Sequence, residues 1–445
     1  MTRQPRYDER YRPQFHFTAG ENWINDPNGC VLHNGEYHLF FQRNPMGLAW
    51  GNMTWGHAIS PDLVRWRQLP DALLPYGDGM IYSGSAVVDG QNTSEFGSAT
   101  GGPLVAAFTH AREPYGQAIA YSNDNGRTWG LFAGGSHVVP NQRLDPGERD
   151  PKVFWHAPSH KWVMVLWVHL GRARFFAADD LRHWRYLSDF EGEGFYECPD
   201  LFELPVDEDP ANTRWVLHDA AFRYWIGTFD GVVFMPETGP FQGDHGNNFY
   251  AAQTWNNTGK RVIQIAWMRG GQYPGMPFNQ QMSFPCDLAL RRTANGLRLC
   301  RTPAPEIKDL YLDGAESFAG TLEAGRELCL EHAGDLFDLE LDVALAPGSA
   351  CVIQLHDVAV TCAETQIDFL GRPAPIAPVN GVLSLRVLVD RASIELFGNG
   401  GEVSMTSCFM PAERETRIRI QAVRGPIHIR SLVAHRLGSA WQSPP

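Results

Sequence analysis

Short runs of apolar and β-branched residues, each bounded by glycine, proline, asparagine or aspartate, recur along most of this chain. Examples are residues 37–42, 104–108, 162–168, 215–218, 224–228 and 262–268. Runs of this length and composition, closed by turn-forming residues, are typical of β-strands. Almost no segment shows the 3.6-residue apolar spacing of an amphipathic helix. The pattern therefore predicts an all-β protein.

Similar hairpin sequences return at regular intervals in residues 1–300. Asp62-Leu63-Val64-Arg65-Trp66 recurs as Asp180-Leu181-Arg182-His183-Trp184, and residues 123–129 carry a related turn followed by tryptophan. Phe229-Asp230-Gly231 closes a fourth hairpin of this kind. The spacing of about 50 to 60 residues is somewhat longer than the roughly 40 to 50 residues of common propeller blades. Four-stranded units repeated over this length predict a β-propeller.

A break in this pattern divides the chain. Arg301-Thr302-Pro303-Ala304-Pro305 contains two prolines, and after it tryptophan is absent until Trp441. Beyond the Asn380-Gly381 turn, residues 383–389 alternate apolar and other side chains, as in an antiparallel strand with one solvated face. We therefore predict a propeller domain over residues 1–300, a linker over residues 301–315 and a β-sandwich over residues 316–445.

Composition and charge narrow the choice of function. The chain has 445 residues, of which 43% are hydrophobic and 20% charged, as in a globular protein of two domains. Its net charge of −13 argues against a nucleic-acid or anionic-membrane partner, whereas a neutral sugar would not be repelled. The longest apolar runs are strand-sized, and residues 1–15 lack the apolar core of a signal peptide, so we expect a cytoplasmic protein.

Cysteine and histidine give no sign of a bound metal. The eight cysteines are scattered without a Cys-x-x-Cys pair, so free, mostly buried thiols are expected. None of the 16 histidines lies in a His-Glu-x-x-His arrangement or a close His/Cys pair. We predict no metal and no cofactor, and the sequence leaves open whether the chain forms homo-oligomers.

Three carboxylates stand in short, unusual contexts. The segments are Asn22-Trp23-Ile24-Asn25-Asp26-Pro27-Asn28-Gly29, Arg149-Asp150-Pro151 and Glu197-Cys198-Pro199-Asp200. Taken singly, the first has the composition of a turn, the second of an ion pair at a strand end and the third of an ordinary strand exit. Taken together, they suggest one active site with several carboxyl groups.

In that order, the three segments resemble the motifs of the β-fructofuranosidases, glycoside hydrolase family 32, which includes invertases, inulinases and levanases. The resemblance extends over nearly the whole chain. It includes His16-Phe17-Thr18, residues 37–45, residues 50–58, Tyr82-Ser83-Gly84-Ser85, residues 248–255, Ile265-Ala266-Trp267-Met268 and residues 390–398. It implies a five-bladed propeller followed by a β-sandwich.

The resemblance also implies roles for particular residues. Asp26 would be the nucleophile, Glu197 the acid and then the base, and Asp150 a hydrogen-bonding partner of the fructosyl hydroxyls. Arg149 would hold the acid side of the site in place, and four residues would line the pocket for the first fructosyl unit: Asn25, Gln42, Trp50 and Ser83. The implied reaction releases terminal β-fructofuranosyl units from sucrose, fructo-oligosaccharides, inulin or levan, with retention through a covalent intermediate.

One departure from the family pattern affects the pocket. Many inulinases carry Asn-Asn-Trp-Gln-Tyr after the motif that corresponds to Ile265-Ala266-Trp267-Met268, whereas this chain has Arg269-Gly270-Gly271-Gln272-Tyr273. Gly271 stands where those relatives have the tryptophan, so we expect one aromatic wall of the pocket to be missing.

Three other functions remain open at this point. A transfructosylase would use the same carboxylates and exclude water from the second step. A propeller that cleaves arabinan or xylan would share the fold but should lack the Asn-Asp-Pro-Asn-Gly and Glu-Cys-Pro segments. A non-catalytic fructan-binding protein would have no reason to keep both Asp26 and Glu197.

Overall fold

The computed structural model describes residues 7–97, 102–331, 334–411 and 417–441. Of the segment 1–15, which is predicted to lack a signal-peptide core, the first six residues lie outside that part of the chain. The fold is nearly all-β, with 57% strand and 3% helix, which confirms the predicted fold class. Within the described ranges, three short 3-10 helices span Phe132–Gly135, Ala157–Ser159 and Pro305–Leu310. Among the described residues, no helix is long and apolar enough to cross a membrane.

Five four-stranded antiparallel blades occupy the first two thirds of the chain. Blade 1 contains β1 (Asn22–His33), β2 (Glu36–Asn44), β3 (Thr54–Ser60) and β4 (Arg67–Leu73). Blade 2 contains β5 (Met80–Val88), β6 (Leu104–Ala111), β7 (Gly116–Ser122) and β8 (Gly130–Leu131). Blade 3 contains β9 (Arg149–His156), β10 (Lys161–His169), β11 (Arg172–Ala178) and β12 (Arg185–Glu191).

The last two blades are joined into one larger sheet. Blade 4 contains β13 (Asp200–Val206), β14 (Asp209–His218), β15 (Arg223–Phe229) and β16 (Phe234–Gln242). Blade 5 contains β17 (Phe249–Thr254), β18 (Ile263–Met268), β20 (Cys286–Thr293) and β21 (Gly296–Pro303), while the short β19 (Phe278–Asn279) pairs in parallel with β1. The link between the blades is a parallel pair of Val206 with Leu290.

Strands inside the propeller are apolar on both faces because each blade packs between two others. All seven residues of β3 are buried, and so are the seven central residues of β10. The outer strand β16 is mostly exposed, and it lies at the edge of its sheet. This gradient from centre to rim explains why the inner runs lack the polar alternation of a one-sided sheet.

The innermost strands β1, β5, β9, β13 and β17 surround the propeller axis. A buried ion pair joins three of them: Lys152 on β9 lies 3.1 Å from Asp200 on β13 and donates to the carbonyl of Thr254 on β17 at 2.8 Å. Its side chain is only 2% exposed, so these partners take the place of water around the ammonium group. The ends of these three strands are therefore held in fixed positions relative to one another.

Two six-stranded sheets form the β-sandwich that follows. One has the order β22 (Glu316–Leu322), β33 (Ile427–Arg436), β24 (Phe337–Leu345), β29 (Leu383–Asp390), β30 (Ser393–Gly398) and β31 (Val403–Cys408). The other has the order β23 (Glu327–Leu330), β32 (Ile418–Val423), β25 (Ala350–Leu355), β26 (Val358–Ala363), β27 (Gln366–Phe369) and β28 (Arg372–Pro375). Their facing side chains form one apolar core.

Histidine 16 connects the propeller to the sandwich. Its Nδ1 lies 2.9 Å from Asp390 and its Nε2 lies 2.9 Å from Glu395, which also accepts the backbone N–H of Phe284 at 3.0 Å. Burial lowers the pKa of His16, but the hydrogen bonds and charges of the two carboxylates outweigh it and raise this pKa to about 9. Because carboxylates only accept, both ring nitrogens donate and the imidazole is cationic.

Candidate active site

A pocket of about 290 Å³ opens where the innermost strands meet. It is lined by all eight predicted site residues: Asn25, Asp26, Gln42, Trp50, Ser83, Arg149, Asp150 and Glu197. Six further residues complete the lining: Met53, Tyr82, Tyr196, Tyr250, Trp267 and Arg269. Every blade contributes, because Asp26 lies on β1, Ser83 on β5, Asp150 on β9, Glu197 just before β13 and Tyr250 on β17.

A bulge in β1 directs the first carboxylate into this pocket. Ile24 pairs with Arg43 and Pro27 with Phe41, so Asn25 and Asp26 together oppose Gln42. The segment is therefore a bulged strand, and its interpretation as a turn is wrong. Proline fits at this position because it has no N–H to give to the ladder. The extra residue turns the side chains of Asn25 and Asp26 out of the strand pattern towards the axis.

β-Bulges also occur on the innermost strands of blades 2 and 3. Ser83 is an unpaired extra residue on β5, between the pairs of Tyr82 with Thr109 and Gly84 with Phe108. On β9, Asp150 and Pro151 together oppose Leu166. Asp150 also has a left-handed backbone, with φ of 68°, which is uncommon for a residue other than glycine. Each bulge brings a polar side chain to the pocket.

Glu197 and Cys198 are held in an unusual conformation just before β13. Their φ angles are 55° and 41°, both in the left-handed region. The backbone N–H of Ala220 donates to the carbonyl of Glu197 at 3.0 Å, and that of Cys198 donates to Asp150 Oδ2 at 3.0 Å. Two consecutive residues in this region carry a conformational cost that surrounding contacts must offset, a situation common at functional sites.

Asp26 lies on the pocket floor, where some neighbours stabilise its negative charge and others destabilise it. Ser83 Oγ donates to its Oδ2 at 2.6 Å, and Asn25 Nδ2 donates to its Oδ1 at 3.2 Å. Burial raises the pKa of Asp26, the two hydrogen bonds lower it, and the nearby charge of Glu197 raises it. The net effect is a pKa above the ordinary range of an aspartate.

The pKa of Asp150 is strongly raised. Burial is the main cause, and Glu197 and Asp26 add to it, so that the pKa of Asp150 rises to about 7 although the Arg149 charge opposes the shift. Cys198 Sγ lies 3.5 Å from Asp150 Oδ2 and 3.8 Å from Asp26 Oδ2, between the two groups. A carboxyl group with this pKa can carry a proton near neutral pH.

Glu197 is held by two partners at opposite oxygens. Arg149 forms an ion pair with Oε1 through its NH2 group and also donates from Nε at 3.2 Å. The hydroxyl of Tyr250 donates to Oε2 at 2.7 Å. Arg149 itself lies over the ring of Trp167 at 4.3 Å, and the charges of Asp150 and Glu197 raise its pKa although burial opposes this. The position of Glu197 is thus fixed by a rigid planar donor and a phenol.

Tyrosine 250 and the aromatic wall beside it were not predicted. Tyr250 and Trp267 both occur in segments that resemble the family, but no feature of the sequence assigned them a role. Gly271 does not line the pocket, and a Cβ at this position would come within 2.6 Å of Tyr273 Oη. Tyr250, Trp267 and Arg269 do line it, and they lie on β17, on β18 and directly after β18. Trp50, in contrast, lies at the rim with 52% of its surface exposed.

Across residues 7–97, 102–331, 334–411 and 417–441, there is no group of three or more His, Cys, Asp or Glu side chains that could hold a metal ion. The eight cysteines all fall within these ranges and are free. The pocket offers three carboxyl groups, two guanidinium groups and several hydroxyl and amide groups for chemistry. Such a set suits proton transfer and nucleophilic attack at a sugar carbon.

This chain is similar in sequence and fold to known proteins of one family. Residues 16–303 match the Glycosyl hydrolases family 32 N-terminal domain, and residues 358–436 match the Glycosyl hydrolases family 32 C terminal. The chain is 38% identical to a levanase of Bacillus subtilis, with 99% of the chain and 72% of the levanase covered. It is 33% identical to an extracellular exo-inulinase of Aspergillus ficuum, with 98% and 96% covered. The crystal structure of an exo-inulinase from Aspergillus awamori superposes with a TM-score of 0.89 at 30% identity, covering 98% of this chain and all of the other.

Proposed function

The chain belongs to glycosyl hydrolase family 32, and we propose that it hydrolyses terminal, non-reducing β-D-fructofuranosyl units from sucrose, fructo-oligosaccharides or fructans such as inulin and levan. The observation that carries the proposal is the pocket itself, in which Asp26 and Glu197 face one cavity with different partners. Asp26 accepts hydrogen bonds from the neutral donors Asn25 and Ser83, whereas Glu197 has a cation on one oxygen and a phenol on the other. Two carboxyl groups in different environments suit two different roles.

In the first step, Asp26 attacks the anomeric carbon of the fructosyl unit. A bond forms between Asp26 and that carbon, and the bond from the carbon to the leaving oxygen breaks with its electron pair. Glu197 gives its proton to that oxygen, so the leaving group departs as a neutral alcohol. The product of this step is a fructosyl ester of Asp26.

In the second step, water replaces the leaving group. Glu197, now a carboxylate, takes a proton from the water as the oxygen attacks the anomeric carbon. The ester bond breaks, Asp26 recovers its carboxylate and fructose is released with its original configuration. Two inversions at one carbon give net retention. No group other than these two carboxyls forms or breaks a covalent bond or moves a proton.

Asp150 and Arg149 support the reaction without bonding to the sugar carbon. Asp150 hydrogen-bonds the fructosyl hydroxyls, and these bonds strengthen as positive charge develops on the ring. Arg149 holds Glu197 Oε1 through its planar guanidinium group and is itself fixed against Trp167. Asn25, Gln42, Ser83 and Trp50 line the remaining wall of the fructosyl pocket.

Product analysis tests this function directly. The protein is incubated with sucrose, inulin and levan separately, and early products are resolved by chromatography, with Asp26→Asn protein prepared in parallel as the control. Free fructose as the main early product supports exo-hydrolysis. Cyclic difructose would indicate fructosyl transfer, and absence of turnover on all three substrates would indicate a binding protein; either result overturns the proposal.

A further inference from the structure

Arg269 occupies the mouth of the pocket at the end of β18. Its backbone is fixed by Asn248: the N–H of Arg269 donates to the Asn248 carbonyl at 2.7 Å, and its carbonyl accepts from Asn248 Nδ2 at 2.6 Å. The guanidinium carbon lies 4.5 Å above the Tyr250 ring and 6.0 Å from the Trp267 ring. The side chain is thus anchored at its base and supported along one face, while the residue as a whole is exposed.

Arg269 lies on the side of the pocket where the leaving group would bind. Tyr250, on which Arg269 rests, donates its hydroxyl to Glu197 Oε2. Under the proposed function, Glu197 delivers the proton to the leaving oxygen, so this side of the pocket receives the leaving group. Asp26 and Asp150 lie on the floor, where the fructosyl unit would bind. Arg269 therefore borders the space next to the fructosyl unit.

The guanidinium group of Arg269 has free donors. In the part of the chain that the structure describes, no carboxylate or carbonyl pairs with it, whereas Arg149 is paired with Glu197. A guanidinium carries five N–H donors in a planar fork. Three carboxyl groups and two guanidinium groups share the pocket, so a neutral leaving group with several hydroxyls fits this charge balance better than an anion.

We propose that Arg269 is a specificity-determining residue for the leaving group. Its free N–H groups donate to hydroxyl oxygens of the sugar next to the scissile bond, which is glucosyl in sucrose and fructosyl in a fructan. This inference rests on the proposed function and adds to it a contact on the leaving-group side. It also assigns recognition to a position where this chain differs from the Asn-Asn-Trp-Gln-Tyr stretch of many inulinases.

The test compares two substrates that differ only in the leaving group. Sucrose offers a glucosyl unit with several hydroxyls, whereas methyl β-D-fructofuranoside offers a methyl group that cannot accept a hydrogen bond from Arg269. Arg269→Met keeps an unbranched stem over the Tyr250 ring and removes every donor. Arg298→Met is the matched control, because Arg298 lies over the Phe241 ring at 4.1 Å but does not line the pocket.

We expect Arg269→Met to lower kcat/KM for sucrose by at least about tenfold more than kcat/KM for methyl β-D-fructofuranoside, as for loss of a hydrogen bond from a charged donor. Arg298→Met should change neither value. Equal losses on both substrates for Arg269→Met would overturn the inference while leaving the proposed function intact. A wild-type protein that cleaves neither substrate would overturn both. If Arg269→Met fails to fold, Arg269→Leu, which also removes every donor, is judged by the same ratio of losses.

Discussion

Asp26 shows at the scale of one residue that the pocket is arranged for chemistry more than for stability. Burial and the Glu197 charge raise its pKa, and hydrogen bonds, chiefly those from Ser83 and Asn25, oppose that shift without cancelling it. A carboxylate in such a position costs folding free energy, since its charge is solvated better in the unfolded chain. Its retention in this pocket is therefore best explained by reactivity.

Replacement of Asp26 separates these two effects. We expect Asp26→Ala to lower kcat on sucrose by about 10⁴-fold or more, as for loss of a covalent nucleophile. The midpoint of thermal unfolding should stay unchanged or rise, because the buried charge is gone. The control is Asp179→Ala, which removes an exposed aspartate outside the pocket. Activity of Asp26→Ala within about tenfold of wild type, a loss of about 1.4 kcal/mol, would show that another group attacks the sugar.

Replacement of Glu197 should depend on the leaving group. An activated aryl leaving group departs without a proton, so Glu197→Ala should lower kcat/KM for an aryl β-fructofuranoside far less than for sucrose. Both values are obtained from initial rates, with Glu191→Ala, an exposed glutamate variant, as the control. A uniform loss on both substrates would mean that Glu197 only positions the sugar.

Ser83 controls the charge of Asp26 and so the acidic limb of the pH profile. The nucleophile must be ionised, and the Ser83 hydrogen bond lowers the pKa of Asp26. Ser83→Ala removes that bond, so the pKa of Asp26 rises further and the acidic limb of kcat/KM moves to higher pH. The loss of activity should therefore be greatest below neutrality. Ser136→Ala, which changes an exposed serine, is the control. If the acidic limb of Ser83→Ala coincides with that of Ser136→Ala, Ser83 does not have this role.

At the scale of the strand, the sequence predicted which segments are strands but not where they bulge. The apolar runs and the repeated hairpins were sufficient for the propeller, because strand and turn propensities are local. Asn25, Asp26 and Pro27 have turn-forming side chains, and only their pairing with β2 decides that they form a bulge. Tertiary pairing of this kind has no local signal, so the direction of the catalytic side chains could not be derived from the residues alone.

The same limit applies to the wall of the site. The eight predicted residues came from family motifs, and the structure brings them to one pocket. Tyr250 and Trp267 lie in recognisable segments, but a tyrosine or tryptophan in a strand is usually core. Arg269 was named only as part of a departure, and the effect of that departure was assigned to Gly271 instead. Contact between β17 and β18 decides which of these side chains faces the cavity.

The link between the propeller and the sandwich should make stability depend on pH. The pKa of His16 is about 9 in the folded protein, against an ordinary value of 6.5. Below pH 6.5 the ring is protonated in both states and the link contributes fully. Between these values the unfolded chain loses the proton that the folded chain keeps, so stability falls as pH rises and the contribution, roughly 3 kcal/mol, is lost above about pH 9.

Chemical denaturation followed by tryptophan fluorescence measures this effect. As the pH is raised from 6.5 to 9, the denaturant concentration at the unfolding midpoint should decrease for the wild type. It should decrease much less for His16→Gln, because glutamine does not titrate. His183→Gln serves as the control, since His183 is 83% exposed beside Asp180. If the unfolding midpoints of the wild type and of His16→Gln change with pH in parallel, the pKa of His16 is not raised by Asp390 and Glu395 in the folded protein.

For the molecule as a whole, the shape of the site limits the length of substrate that it can use. The pocket of about 290 Å³ is at the small end of the 300 to 1,000 Å³ typical of ligand sites. Such a cavity contacts the terminal unit and part of the next, so further units of a polymer gain little binding energy. We expect single fructose units as early products, with sucrose and short fructo-oligosaccharides cleaved at least as efficiently as inulin and levan.

Steady-state kinetics on all four substrates tests this expectation. Each kcat/KM is expressed per non-reducing end, so that chain length alone does not bias the comparison. Oligomeric early products, or a preference for a polymer greater than about tenfold, equal to about 1.4 kcal/mol of transition-state binding, would reveal further subsites along the protein surface. The control is Asp26→Ala, which should release no fructose from any of them.

The supply of pocket residues from every blade also bears on how the enzyme folds. A refolding chain with four blades in place holds most of the propeller strands, yet it lacks the pocket residues that the remaining blade supplies. Circular dichroism registers strands as each forms, whereas sucrose cleavage requires the complete ring. The recovery of sucrose cleavage therefore reports when the last blade docks. The delay between recovery of the circular dichroism signal and recovery of activity measures the lifetime of a propeller intermediate that lacks this blade.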